Sequence, residues 1–199
     1  MKKQIFAVTL ITLLTLLSTA AVAQTDLPGP WMVRVRAVHL QSANSDGTPL
    51  ALSINNKWLP EVDVSYFFSP NVAAELVLTV PQKQTLSADG TAIGSFKHLP
   101  PSLLLQYHFP LPSFKPYVGA GINYTRLSAV DLPAGVDVKR SSFGPVLQAG
   151  LDIPLDKNLY FNLDVKKAYI ATHASVAGTD VGSFKINPMM VGVGLGWRF

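Results

Sequence analysis

Four histidines, two glutamates and one His-x-Ser fragment are the residues from which this chain could build catalytic or metal chemistry. His173-Ala174-Ser175 could supply a base and a nucleophile, but hydrolysis also needs a carboxylate within hydrogen-bond reach of the histidine. The only glutamates, Glu61 and Glu75, lie far upstream in strand-like segments, and nothing in the sequence places either beside His173. His39, His98 and His108 are scattered without the spacing of metal ligands. Cysteine is absent, which removes disulfides and thiolate metal sites. The Gly-x-Gly runs at 119–121 and 192–196 precede no helix-forming pattern, so a phosphate loop is unsupported. Neither an enzyme, a cofactor nor a bound metal is expected.

The charged residues say more through where they fall. Arg34, Arg36, Glu61, Asp63, Glu75, Asp152, Asp164, Lys166 and Arg198 each sit in a segment of alternating pattern, on the face opposite the apolar one. Lys167, near the end of its segment, is the exception. Side chains alternate faces along a strand. If the apolar faces meet lipid, an Arg or Lys among them at mid-bilayer would cost roughly 2–4 kcal/mol. That cost gives the sorting a physical reason.

The elements that position these charges are eight alternating segments: 31–39, 58–68, 72–80, 101–109, 115–125, 141–153, 159–170 and 186–199. In the first, Trp31, Val33, Val35 and Ala37 oppose Arg34 and Arg36; in the second, Val62, Val64, Tyr66 and Phe68 oppose Glu61 and Asp63. Each is about the length a tilted strand needs to cross a bilayer. The connections alternate long and short. Residues 40–57, 81–99, 126–140 and 171–185 are expected as long polar loops, and 69–71, 110–114 and 154–158 as short turns. Outward aromatics gather at the turn ends: Trp31, Tyr66, Phe68, Tyr107, Phe109, Phe161, Trp197 and Phe199. A soluble β-sandwich is the competing reading, but it would not carry an apolar face on all eight strands.

The two ends of the chain agree. Met1-Lys2-Lys3, the apolar run 5–17 and Ala21-Val22-Ala23 have the form of a secretory signal peptide over 1–23, with the mature domain at 24–199. Its removal lowers Lys+Arg from 16 to 14 against 12 acids, so no argument for nucleic acid survives. No apolar run in the mature part approaches the roughly 18 residues of a spanning helix. If the chain enters a membrane it must close into a barrel, since lipid cannot satisfy open backbone groups. At the other end the strand finishes on Trp197-Arg198-Phe199 with no tail. This resembles the C-terminal signal of bacterial outer-membrane barrels, which implies Trp197 and Phe199 as the part met by the barrel-assembly machinery.

Longer blocks sharpen the resemblance. Leu99-Pro100-Pro101-Ser102-Leu103, Gln106-Tyr107-His108-Phe109, Pro116-Tyr117-Val118-Gly119-Ala120-Gly121-Ile122-Asn123-Tyr124-Thr125, Gln148-Ala149-Gly150-Leu151-Asp152 and Gly194-Leu195-Gly196-Trp197-Arg198-Phe199 are similar to the outer membrane protein W (OmpW) family over most of 30–199. The resemblance implies an all-β, eight-stranded antiparallel up-and-down barrel, monomeric, in the outer membrane of a Gram-negative cell. It places the long loops outside and both mature termini in the periplasm. It also implies uptake of small hydrophobic molecules, with lateral release into the membrane lipid. The alternative is a surface receptor or structural protein acting through its loops.

Within such a barrel the inward faces are unequal. Gly119, Gly121, Gly144, Gly150, Gly192, Gly194 and Gly196 come from strands five, six and eight, while most charges come from strands one, two, three and seven. An eight-stranded barrel is just wide enough for its side chains to fill. The expected lumen therefore holds Arg34, Arg36, Glu61, Asp63, Glu75, Asp164 and Lys166 as a charged plug against a glycine wall. Val38, Val77, Leu104, Val146 and Met190 would line an apolar cavity above it. The family's apolar constriction falls at Val77 and Lys166, and lysine departs from that pattern. Pro60, Pro101, Pro145 and Pro188 stand near the outer strand ends, either ending strands or weakening the wall. Deleting Phe199 should lower the yield of barrel in the outer membrane, measured as heat-modifiable protein; unchanged rate and yield would refute the C-terminal assignment.

Overall fold

The computed structural model describes residues 29–46, 48 and 50–199. The expected signal peptide, 1–23, and the mature start at Gln24 lie outside the described residues. The strands are β1 Trp31–Gln41, β2 Ser45–Asp46, β3 Leu52–Ile54, β4 Lys57–Phe67, β5 Val72–Thr79, β6 Gln82–Ala88, β7 Thr91–Leu99, β8 Ser102–His108, β9 Lys115–Asp131, β10 Val136–Val138, β11 Ser141–Pro154, β12 Leu159–Ala168, β13 Ala171–Val176, β14 Thr179–Lys185 and β15 Met189–Arg198.

Eight of them close on one another. The antiparallel order β1-β4-β5-β8-β9-β11-β12-β15 returns to β1, so no edge remains in the wall. Both described chain ends meet at the short-turn end, where Trp31 N donates to Phe199 O at 3.0 Å and Phe199 N to Trp31 O at 2.8 Å. Outward residues are apolar and exposed all round, among them Val35, Val62, Leu76, Leu105, Ile122, Leu147, Val165 and Leu195. Aromatic rings border this band. At the turn end Trp31, Tyr66 and Phe68 stack edge to face at 4.8 and 5.2 Å, as do Tyr107 and Phe109 at 5.0 Å. At the other end stand Trp58, Tyr124, Phe143 and Tyr169. Tyr66 to Trp58 is eight steps along β4; at about 3.3 Å each and a tilt near 40° that is roughly 20 Å of height. The span between the two rings of Cα atoms is a few Å short of the roughly 25 Å apolar band of outer-membrane barrels.

The four long connections differ from expectation. They are not polar loops but continue the wall upward as short strands. β6 and β7 form a hairpin, β13 and β14 another, and β9 runs to Asp131, past the expected end at Thr125. Their alternation is hidden in sequence by short length and by polar residues on both faces, yet many inward positions are apolar. Leu52, Ile54, Leu86, Phe96, Leu127, Val138, Ala174 and Phe184 are buried in one cluster with Val38, Leu104 and Val146 of the barrel. This cluster roofs the lumen. The prolines also differ: Pro60 and Pro145 lie inside β4 and β11 rather than ending them, with Thr79 Oγ1 and Tyr169 N donating to their carbonyls at 2.8 and 3.0 Å.

Phe184→Ala should empty part of the roof at a local cost of about 3–5 kcal/mol. Hydrogen exchange should then quicken across 171–185 while β1 and β15 keep their protection.

Candidate functional site

Register explains why the lumen charges meet. Arg34 stands opposite Asp63 on β4 and Gly196 on β15; Arg36 stands opposite Glu61 and Gly194. Each arginine thus has a carboxylate on one neighbouring strand and open space on the other. A Cβ at Gly196 would lie 3.1 Å from Arg34 Cγ, and one at Gly194 2.8 Å from Arg36 Cγ. The long side chains turn over the glycines and cross the lumen.

Both guanidinium groups are fully enclosed. Arg34 donates to Asp63 Oδ1 at 3.1 Å and Ser65 Oγ at 3.0 Å, and grips Asp152 with two bonds at 3.2 and 2.7 Å. Arg36 bonds Asp63 and Glu75, the latter at 3.1 Å, and lies 3.2 Å from Asp164. Its Nε is 3.0 Å from Glu61 Oε1 but without the alignment of a hydrogen bond. Lys166 Nζ joins Glu61 at 2.7 Å and Asp164 at 2.6 Å. Neutral groups complete the network. Tyr117 Oη donates to Asp164 at 2.7 Å, Gln148 Nε2 to Glu75 and Asp164 at 2.9 and 2.7 Å, and Asn162 Nδ2 to Asp152 at 2.8 Å. The tip of Tyr117 lies against Gly150, where a Cβ would stand 2.2 Å from its Cζ.

The residues expected from sequence as a charge cluster, Arg34, Arg36, Glu61, Asp63, Glu75, Asp164 and Lys166, therefore touch one another. Asp152, Tyr117, Gln148 and Asn162 were missed as members. Strand parity already turned them inward; which of them reach across the lumen depends on barrel stagger. Near the turn end Arg198 lies over the Phe67 ring at 3.7 Å and donates to Gly29 O at 2.9 Å.

Above the network lies a small chamber of about 20 Å³, room for about one water. Leu40, Leu59, Val77, Ile170 and Met190 wall it, and Glu61 with Lys166 forms its floor. Of the expected apolar lining, Val77 and Met190 border this space. Val38, Leu104 and Val146 are buried beside it in the same cluster and do not border it, because the roof strands pack down onto them.

Beside the chamber the wall ladder is interrupted. β5 and β8 pair up to Val77 and Ser102, and pairing resumes only at Gln82 and His98 in the hairpin above. The stretch between holds Pro81, Pro100 and Pro101, none of which has an N–H to give. The side-chain bonds nearby lie to either side of this gap and do not cross it. Asn123 Nδ2 on β9 reaches Pro100 O and Pro101 O at 3.3 and 3.2 Å, next to the backbone bond from Tyr124 N to Pro101 O at 3.1 Å, and Gln82 Nε2 reaches back to Val80 O at 3.0 Å.

On the β13–β14 hairpin His173 Nδ1 lies 3.0 Å from Asp180 Oδ2, a partner that sequence spacing did not indicate. The Gly182 N–H and then His173 hold the Asp180 carboxyl below the usual range. Both residues are exposed, and no contact joins Ser175 to His173 among the described residues.

An even-numbered closed barrel, apolar outside and charged within, is a membrane β-barrel of the outer-membrane kind. The OmpW family profile matches residues 32–199, and the chain belongs to that family. It is 39% identical over 184 residues to an uncharacterized outer-membrane protein, y4mB, of Sinorhizobium fredii, covering 85% of this chain and 80% of that one. It is 24% identical over 189 residues to the dibenzothiophene metabolism operon protein PahQ of Pseudomonas aeruginosa, covering 85% and 89%. Among solved structures it resembles the outer membrane protein OprG of Pseudomonas aeruginosa, at 26% identity and a TM-score of 0.74, covering 86% and 96%. The protein is an outer-membrane barrel.

The network holds three cations against five carboxylates, so losing a cation deepens the imbalance and losing a carboxylate relieves it. Arg34→Leu should destabilise by about 3–5 kcal/mol, and Glu75→Gln by clearly less. Urea unfolding in lipid, followed by tryptophan emission, measures both.

Proposed function

We propose that this barrel carries small hydrophobic molecules across the outer leaflet and releases them sideways into the membrane. The roofed end faces the cell exterior, and the turn end with both mature termini faces the periplasm. The protein works as a monomer, after the barrel-assembly machinery has received it by Trp197 and Phe199. It has no catalytic role.

One observation carries this reading: the apolar chamber and the proline-rich break in the wall lie at the same level. Val77, Pro100 and Ser102 belong to both. Below them the charge network blocks straight passage, since an apolar solute gains nothing there and would have to part buried ion pairs. Moving sideways into lipid is favourable by about 0.8 kcal/mol per CH₂, so the exit needs no energy source. The chamber at rest is too small for a solute, and the hairpins β6–β7 and β13–β14 must lift for loading. The name of the PahQ relative, tied to metabolism of the apolar dibenzothiophene, fits a role of this kind.

A receptor or structural role through the outer hairpins is the competing reading. Removing all of 171–185 cannot separate the two, because Ala174 and Phe184 belong to the roof. Only the exposed tip, 177–180, is free of it. Cells lacking the protein should regain uptake of a small apolar compound with the wild type and with a 177–180 replacement. With Val77→Arg, which fills and charges the chamber, the gain should fall to near background. Undiminished uptake by correctly assembled Val77→Arg would exclude the lumen route.

A further inference from the structure

The inward face of the β6–β7 hairpin carries polar groups that neither the wall nor the charge network uses. Gln82 faces His98 across the hairpin, and Gln84 is the next inward residue on β6, diagonal to His98. Such diagonal neighbours are within reach of long side chains. Gln82 is spent on Val80 O. Gln84 is wholly buried, yet neither its Nε2 nor its Oε1 has a hydrogen-bond partner, and His98 Nε2 has none either. Their neighbours Leu86 and Phe96 are apolar and buried. His98 borders the chamber beside Leu40, Leu59 and Val77, whereas Gln84, further up the hairpin, does not line it and is reached by a solute only as the hairpin lifts. Burial, with Lys57 nearby, pushes His98 down to about 4, so the ring is neutral at ordinary pH.

Three open polar atoms in an apolar roof keep the full cost of their lost hydration. A pure hydrocarbon entering the chamber would leave that cost in place. A carboxylate would meet Glu61 at the floor, where the Lys166 ammonium is already shared with Asp164. A neutral oxygen group suits the site. The Gln84 amide offers a donor and an acceptor, and the imidazole Nε2 is one or the other according to its tautomer.

We infer that Gln84 and His98 form a recognition point for the hydrogen-bonding group of an otherwise apolar solute, so that the barrel favours neutral alcohols, aldehydes and ketones over hydrocarbons of equal length. This selectivity rests on the transport reading, although binding itself can be tested without it.

The test uses the mature protein in lipid nanodiscs, with 1-octanol and octane as probes. The Gln84 side-chain amide and the His98 ring nitrogens are followed by nitrogen-15 NMR. 1-Octanol should shift both saturably, octane should not, and Gln84→Leu should remove the His98 response. In cells, wild-type uptake should favour 1-octanol over octane, and Gln84→Leu or His98→Phe should shrink that ratio by about three- to tenfold, the worth of one net hydrogen bond. Heat-modifiable migration confirms that each variant has folded. If Gln84→Leu does not assemble, His98→Phe and the wild-type shifts decide. No saturable shift with 1-octanol, or the same shift with octane, would overturn the inference and leave a bound water as the occupant. An unchanged uptake ratio in folded variants would also overturn it. Saturable, Gln84-dependent shifts without uptake of either probe would uphold the site and refute transport.

Discussion

Two arginines without solvent set the terms for this barrel. Arg34 and Arg36 are wholly enclosed in the lumen, and an unpaired charge there would be prohibitive. Each must find carboxylates, and register supplies them, Asp63 and Glu61 directly across on β4. Each must also have room to turn inward, and Gly196 and Gly194 on the opposite neighbour supply that. Other strands complete the pairing from the far wall, Asp152 from β11 and Asp164 from β12. The charges thus tie together strands far apart around the wall, besides closing the bore. Replacing such a network by well-packed apolar residues is often neutral or stabilising. Its value here is better sought in sealing the lumen than in raising stability.

The seal divides the interior into two environments. Below it the turn end holds a small buried apolar cluster, Met32, Phe67, Ala73 and Tyr160, with Lys115 over Tyr160 and Arg198 over Phe67. Above it the lumen is apolar and continues into a roof made by the outer hairpins. The same proline-rich stretch that ends the β5–β8 ladder leaves a stretch of wall without ladder pairs between Val77–Ser102 and Gln82–His98. A full ladder would resist parting. In the proposed route the seal refuses apolar solutes downward and the interrupted wall passes them sideways.

Most of the barrel was legible in sequence because period two is a strong signal when every strand has one lipid face. Trp31 to Ala37 and Met189 to Phe199 alternate without a fault, and no charge other than Lys167 breaks the outward pattern. The outer hairpins were not legible. Stretches such as Gln82–Ala88 mix polar residues on both faces, and only Leu86 stands out among them. Parity likewise gave which residues point inward, but not which of them touch. Asp152 meets Arg34 across 118 positions of chain, a contact set by stagger around the barrel and invisible to local pattern. Gln84 looked like loop polarity; its burial follows from the roof. Asp180 beside His173 required the hairpin pairing of β13 with β14.

The claim on which the rest depends is that the charge network seals the lumen. Ion conductance of the purified barrel in planar bilayers tests this most directly. The account predicts insertion, verified by heat-modifiable protein recovered from the bilayer lipid, without a steady ohmic current above baseline at neutral pH. A stable open-pore conductance proportional to salt concentration would contradict it, since ions would then be crossing the level of Arg34 and Arg36.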